Sequence, residues 1–553
     1  MFTFFAGLAT LAYFILWIVH IEAVQHLNDK KWPVQTFESE PGFHPPVLEI
    51  TAPEQASKDG YLFFAPGGPQ ASQTAPVIMT NNGELIWNGP PGLFAFNFGV
   101  QTYKGEDVLV FWNGSRFPEP KGRGHGNVYL WNRHYEQIAN VSLAGEFVEF
   151  NGESYPSNID LHEHYITENG TLLVLAYNVT QADLRSVGGL QEGWVVEGQV
   201  YEIDIETNEV LFAWRSLEHL DKLPFTSSVY PLGSEGYDGR TRENAWGYFH
   251  HNSVTPFREG YIISSRYFCS AIAISRTSGE VLWVLQGRDG GDSHLQGENG
   301  STSFCYQHDI RVLEEKVDQE GDLTQLTLSM HDNANSPIDK NKIPTSGKIF
   351  SLDFSTNLAT QTHRYLNTSG LVYGTAQGSH QRLTNGNIFE GAGYIPIMEE
   401  FSPEGTPLCR WIFGTPLRTT EGGFLSPEPE SVVLSYRAYK QPWVGCPRTK
   451  PAVVLNASNG TEGMTAYISW NGATEVEKWE VWGRREGKKG RVMKVVEKSG
   501  FETVVEVGRV EVVWVRALLR KGAPRGCGGG VWSERVRVKD DEGVDKRKGG
   551  IWW

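Results

Sequence analysis

Short apolar runs separated by polar turns fill the chain between roughly residues 60 and 425, and they follow a repeated phrase. A histidine opens an apolar strand, a turn on Asn-Gly or an equivalent pair follows, and a second apolar strand returns. The phrase begins at His162-Glu163-His164 and turns at Asn169-Gly170; it recurs at His250-His251-Asn252 with a turn at Glu259-Gly260, at Gln307-His308-Asp309, and at His380-Gln381 with a turn at Asn385-Gly386. Several copies close on a second hairpin that ends in Trp214, Trp283 or Trp411, while Trp87 and Trp131 close earlier units that lack the histidine. Four strands per unit with turn residues between them predict the blades of a β-propeller. The count gives about six blades over 60–425, and the uneven spacing leaves five or seven open.

Beyond this array, 426–455 reads as a polar, aromatic connector, and 456–520 alternates like the strands of a small β-sandwich-like domain. The predicted fold class is therefore all-β, a propeller followed by a sandwich. Residues 521–553, with Gly526-Cys527-Gly528 and a charged run, read as a loose or disordered tail. Ahead of the array lies an N-terminal segment, 24–59.

Residues 2–19 carry no charge, which is near the lower limit for crossing a bilayer, so 1–23 reads as a cleaved signal peptide or a membrane anchor, with a buried strand as the alternative. Asn-X-Ser/Thr sites at Asn113, Asn140, Asn169, Asn178, Asn299, Asn367, Asn456 and Asn459 add to the expectation of a glycosylated protein of the secretory pathway, secreted or anchored. Five cysteines then permit two disulfides and a thiol; Cys269 with Cys305 and Cys409 with Cys446 are the natural pairs, although spacing does not decide connectivity.

A formal charge of −16 argues against nucleic-acid partners, because phosphate binding needs Lys and Arg. The chain has no P-loop, HExxH, GxSxG or CxxC pattern, which removes the familiar nucleotide-dependent, zinc-protease and α/β-hydrolase readings.

In a propeller the first strand of each blade lines the central channel, so histidines opening successive first strands converge on one axis. His162, His251, His308 and His380 are candidates for such a constellation. A lone histidine is more often structural, but recurrence at matching positions points to a site. Arg266, in Ser264-Ser265-Arg266, is a candidate anion clamp because a guanidinium offers fixed parallel donors to sulfate or phosphate oxygens. The same histidines could hold a metal in a hydrolase or oxidoreductase, and a propeller can equally be a non-catalytic binding scaffold.

Asp160-Leu161-His162-Glu163, His251-Asn252, Ser264-Ser265-Arg266, Gln307-His308-Asp309, Asp332-Asn333, Asn385-Gly386-Asn387 and the run from Tyr436 to Tyr439 occur in an order that resembles the arylsulfotransferase family, in its fungal-type branch. The resemblance implies a cofactor-free enzyme that moves a sulfuryl group from an aryl sulfate donor to a phenolic acceptor through a sulfated histidine. It places the nucleophile at His308, the supporting groups at His251 and Arg266, and a further histidine at His162, with His164 two residues away on the same side of an extended strand. Two departures stand out: His331 occupies a position that is apolar in the family, and the small domain follows the propeller instead of preceding it.

Overall fold

The computed structural model describes residues 32–117, 122–288, 296–297, 302–338, 342–415, 417–418, 425–426, 433–457, 463–485, 487–527 and 530–537. The candidate leader at 2–19, Asn299, Asn459 and residues 538–553 lie outside them. Among the described residues no helix is long and apolar enough to cross a membrane.

The fold is all-β and propeller-like. Six sheets follow one another along the chain, each built on an antiparallel meander; in three of them a strand from elsewhere in the sequence joins one edge, Ala438–Gln441 in the first, Gln296–Gly297 in parallel in the fifth and Glu49–Thr51 in the sixth. The first strands are Ala438–Gln441, Phe96–Tyr103, His164–Ile166, His251–Phe257, His308–Val317 and Ser379–Arg382, and they neighbour one another in that cyclic order. The ring closes because Ala438–Gln441, from the far end of the array, pairs with Tyr61–Phe64 as the first strand of the first sheet. A connector read at 426–455 therefore carries the closing strand. The sixth sheet also borrows Glu49–Thr51, from the N-terminal segment, at its outer edge.

Adjacent sheets stack through apolar faces. Val110, Trp112 and Val128 of one sheet pack with Leu172, Val174 and Ile203 of the next, all fully buried. Each such side chain contributes about 1.5–3 kcal/mol of transfer free energy, so the array is held by burial between sheets. Two of the closing tryptophans also bridge sheets: the Trp214 indole N–H donates to Gly279 O at 3.0 Å and that of Trp411 to Asn81 O at 2.8 Å. Both acceptors lie in turns of the following sheet, whereas the indole N–H groups of Trp131 and Trp283 are buried without a hydrogen-bond partner, so those rings act through packing.

Down the axis, the first strands supply a buried ionic layer. Arg437 donates to both oxygens of Glu163 at 3.0 and 3.2 Å, and Arg311 donates to Glu163 at 2.7 Å and to Asp309 at 2.8 Å. Two cations against two carboxylates leave the layer neutral, and burial makes loss of any one member costly. This layer divides the channel into two mouths.

Two further sheets follow. Ala452–Ala457, Met464–Ser469 and Glu502–Gly508 form one; Val476–Arg484, Arg491–Glu497, Val512–Leu519 and Val536–Arg537 form the other. They share a core of Ile468, Trp479, Val481, Val505, Val513 and Val515. The Asn471 side chain pairs with both backbone groups of Asn88 at 2.9 Å, docking this unit on the first sheet.

The cysteine pairing is corrected in part. Cys269 is bonded to Cys305 as expected, but Cys446 is bonded to Cys527, and Cys409 is a buried thiol. Cys409 faces the apolar core with Trp411 and Met398, so it has no route to Cys446. The segment read as a loose tail from 521 is tied in as far as Arg537, by the Cys527 bond and by pairing of Val536–Arg537 with Val512–Val513.

Candidate active site

The residues of interest gather at the mouth where the first strands begin. His162 lies just before its strand, His308 opens its own, and Tyr436 precedes the closing strand. The His162 ring is 5.7 Å from that of Tyr436 and 5.2 Å from that of His250, and the His308 ring is 6.4 Å from Tyr436 on the other side. All three histidines are buried.

A backbone irregularity sets which side chains face inward. His250, Tyr306, Asp309 and Gln377 have positive φ values of 45°, 56°, 55° and 65°, and the pairing register shifts between His251 and Ser253 and again between His308 and Arg311. Such strained positions persist only where surrounding structure holds them, and here they surround one site. The result is that His250, not His251, faces His162. His251 turns away: its Nε2 donates to Gln199 O at 2.7 Å and its ring packs on Tyr177 at 4.7 Å. His164 likewise leaves the site, donating to Asn97 O at 3.0 Å. His380 and His331 face one carboxylate, Glu390, through their Nδ1 atoms. The apolar-to-histidine departure at 331 is thus matched by an internal acid.

His308 is held in one tautomer. Its Nδ1–H donates to Asn333 Oδ1 at 2.7 Å, and the Asn333 amide cannot be reversed because its Nδ2 donates to Gln377 O at 3.0 Å. Nε2 therefore carries the lone pair and accepts a hydrogen bond from the Gln377 N–H at 3.2 Å. Burial, then the charges of Arg266 and His162, holds the His308 imidazole well below its ordinary range, so it is neutral near pH 7. Burial, then Arg123 and Arg266, does the same to His250. For His162, Nδ1 is bound to Asp160, whose other oxygen accepts the Gly124 N–H at 2.9 Å.

Arg266 lies in the turn just after Gly260–Ser265. Its backbone N–H donates to His250 O at 3.0 Å, its guanidinium donates to Thr375 O at 2.6 Å, and it lies 5.7 Å from the Tyr306 ring centre. The Gln-His motif explains itself here: the Gln307 amide donates to Ser264 Oγ, Ser265 O and Ser270 O at 3.0–3.2 Å, pinning the Arg266 turn to the residue before His308. The Cys269–Cys305 bond ties the same two segments.

Arg123, which no motif singled out, is a second buried guanidinium. It lies 4.9 Å over the Tyr177 ring, whose centre is 6.2 Å from His162 and 6.3 Å from His250. The only signal for it in the sequence is its glycine-rich setting, Gly122-Arg123-Gly124. Among the described residues no carboxylate forms an ion pair with Arg123 or Arg266, and the Nε of each is buried without a hydrogen-bond partner. The acid nearest Arg123 in effect, Glu149, is pushed up to about 8 by burial and then by Asp160, and so is largely neutral near pH 7. Two desolvated cations with no carboxylate paired to them among the described residues, around neutral imidazoles, are complementary to an anion.

The model of the arylsulfotransferase (ASST) family matches residues 99–414. The chain belongs to the arylsulfotransferase family. The match spans the sheets that carry Arg123, His162, His250, Arg266 and His308. Membership in this family supports aryl-sulfotransferase-like activity on small aryl molecules. No curated protein matches the chain. Among solved structures it is similar to a Bacteroides caccae protein of unknown function, at 11% identity over 69% of this chain and 98% of that chain with a TM-score of 0.34. It is also similar to a Penicillium chrysogenum α-L-arabinanase complexed with arabinobiose, at 10% identity over 69% and 92% with a TM-score of 0.32.

Among the described residues no group of three or more His, Cys, Asp or Glu side chains is placed to hold a metal ion. A cavity of about 820 Å³ adjoins the ionic layer, lined in part by Glu163, Arg311, Tyr103, Tyr165 and Tyr439. None of the candidate histidines His162, His251, His308 or His380 lines it.

Proposed function

We propose that this arylsulfotransferase moves a sulfuryl group from an aryl sulfate donor to a phenolic acceptor, with His308 Nε2 as the nucleophile. The scaffold is, in this reading, a six-bladed propeller with a β-sandwich-like domain after it. The observation that carries the proposal is the pair of buried guanidiniums, with no carboxylate paired to either among the described residues, beside a neutral imidazole whose Nδ1–H is committed to Asn333. In the first half-reaction Nε2 attacks sulfur, the S–N bond forms, and the S–O bond to the aryl group breaks with its electron pair on oxygen. In the second, a phenolate oxygen attacks the same sulfur and the S–N pair returns to Nε2. Splitting the transfer lets donor and acceptor use one site in turn. Arg266, anchored beside His308, meets the charge on the sulfuryl oxygens.

Incubation with 4-nitrophenyl sulfate without acceptor is expected to leave a sulfuryl group on the His308 peptide, and phenol is expected to discharge it. Labelling that persists in His308→Ala, or lies on His162, overturns the assignment.

We also propose that the chain enters the secretory pathway, by a cleaved leader or an anchor at 2–19. Two disulfides accord with an oxidising compartment, and the sequons Asn140 and Asn169 are exposed. Glycosidase treatment of protein from the native host is expected to increase its mobility.

A further inference from the structure

Arg123 is seated by its neighbours more closely than a solvated arginine would be. A Cβ on Gly247 would lie 2.2 Å from its Nη2, and a Cβ on Gly122 would lie 3.5 Å from His250 Cε1. Gly122 also has φ +86°, a conformation that a side chain would strain. On the other flank the Gly124 N–H donates to Asp160, the partner of His162. The segment 122–124 therefore lies across His250 and the His162–Asp160 pair, with the guanidinium fixed on the Tyr177 ring between them.

Arg266 reaches the site from another direction. Its donors go to Thr375 O and it lies over Tyr306, two residues from His308. Both arginine charges disfavour protonation of His250, and that of Arg266 also disfavours protonation of His308. The site thus has one cation beside Tyr306, on the nucleophile's segment, and a second on the Tyr177 ring, on the side of His250 and His162.

Transfer of a sulfuryl group to His308 places negative charge in two places: on the sulfuryl oxygens, and on the aryl oxygen that keeps the S–O electron pair. That second charge needs either a proton or a fixed cation. His250, the histidine against the 122–124 segment, is neutral and has no proton to spare beyond its own N–H. We propose that Arg123 is the catalytic residue that stabilises the departing phenolate oxygen, and that it binds the acceptor as a phenolate in the return step. No proton is moved in either displacement; a phenolic acceptor gives its proton to water on binding. The inference rests on the sulfuryl-transfer reading above and assigns the aryl-oxygen end of that site.

The test is a leaving-group series. Full-length wild type, Arg123→Gln, Arg123→Lys and Arg266→Gln are assayed with aryl sulfates whose phenols have pKa values from about 7 to about 10. Arg123→Gln is expected to lose about 10-fold with the most acidic phenol and about 10³-fold with the least acidic, with Arg123→Lys between it and wild type. Arg266→Gln is expected to lose activity by a similar factor across the series. A second readout is the absorbance titration of bound 4-nitrophenol, whose pKa is expected to be lowered by wild type and to return towards the free value in Arg123→Gln. A loss that is uniform across leaving groups, or an unchanged pKa of the bound phenol, overturns the assignment of Arg123 while leaving His308 as nucleophile. Absence of transfer from every aryl sulfate by folded wild type overturns the sulfuryl-transfer reading and this inference with it.

Discussion

Asn333 Oδ1 accepts the Nδ1–H of His308 at 2.7 Å, while its own Nδ2 donates to Gln377 O, so one amide fixes both the tautomer of the imidazole and the loop that faces Nε2. A carboxylate in the same position would fix the tautomer equally well but add a charge. Asn333→Asp is therefore expected to raise the His308 pKa and to move the acidic limb of the pH–rate profile upward, because an adjacent anion favours the imidazolium. Asn333→Ala leaves only the weaker contact to Tyr306 O at 3.2 Å and is expected to slow sulfation of His308 by about 10- to 100-fold without moving that limb upward. The profile of kcat/KM and the rate of labelling check both.

The adjacent histidines at 250 and 251 make a direct comparison. His250→Ala removes a ring that faces His162, and is expected to lower transfer sharply in a folded protein. His251→Ala removes a packed side chain bonded to Gln199 O, and is expected to cost about 1–3 kcal/mol of stability while folded molecules keep most of their turnover. Melting curves and activity per folded molecule separate the two, and equal loss of turnover at both positions would count against the placement seen here.

This pair also shows how far the sequence could be read. The repeated turns, the closing tryptophans and the Gln307-His308 motif are local features, and each corresponds to a local structure: a turn, an indole bridge, or the clamp on the Arg266 turn. Which of two consecutive histidines faces the axis depends on a left-handed residue at 250 and a register shift after 251, and strand alternation cannot reveal either. Arg123 was hidden for a related reason, since it belongs to a glycine-rich stretch of a sheet without the histidine and becomes part of the site only when the sheets close into a ring. The Cys446–Cys527 bond was hidden because it joins segments 81 residues apart, one before the last two sheets and one between their last two strands.

The Cys269–Cys305 bond closes a loop of 36 residues between the Arg266 turn and the strand of His308. Chain-entropy arguments give such a bond about 3–4 kcal/mol. Cys269→Ser/Cys305→Ser is expected to lower the melting temperature, and to lower transfer further than Cys446→Ser/Cys527→Ser, because only the first bond joins two parts of the site. Comparison of both double variants in melting and in labelling rate distinguishes general destabilisation from loosened geometry.

Buried histidines also set a pH limit on the fold. Burial, then the Arg437 charge, pushes His164 down to about 3, and burial pushes His251 down to about 4. In the unfolded chain both take up a proton near pH 6.5, while in the folded protein they stay neutral until pH 3–4. The unfolded state therefore binds more protons below about pH 6.5, and stability falls as pH falls, by up to about 1.4 kcal/mol per pH unit for each group across that window. Above about pH 6.5 both groups are neutral in either state and their contribution is constant. His164→Gln keeps a donor for Asn97 O without a titrating ring, so its stability at pH 5, relative to its own at pH 7, is expected to fall less than that of wild type. Urea unfolding of both proteins at pH 5, 6 and 7 measures the difference, and parallel pH profiles would show that His164 titrates alike in the two states.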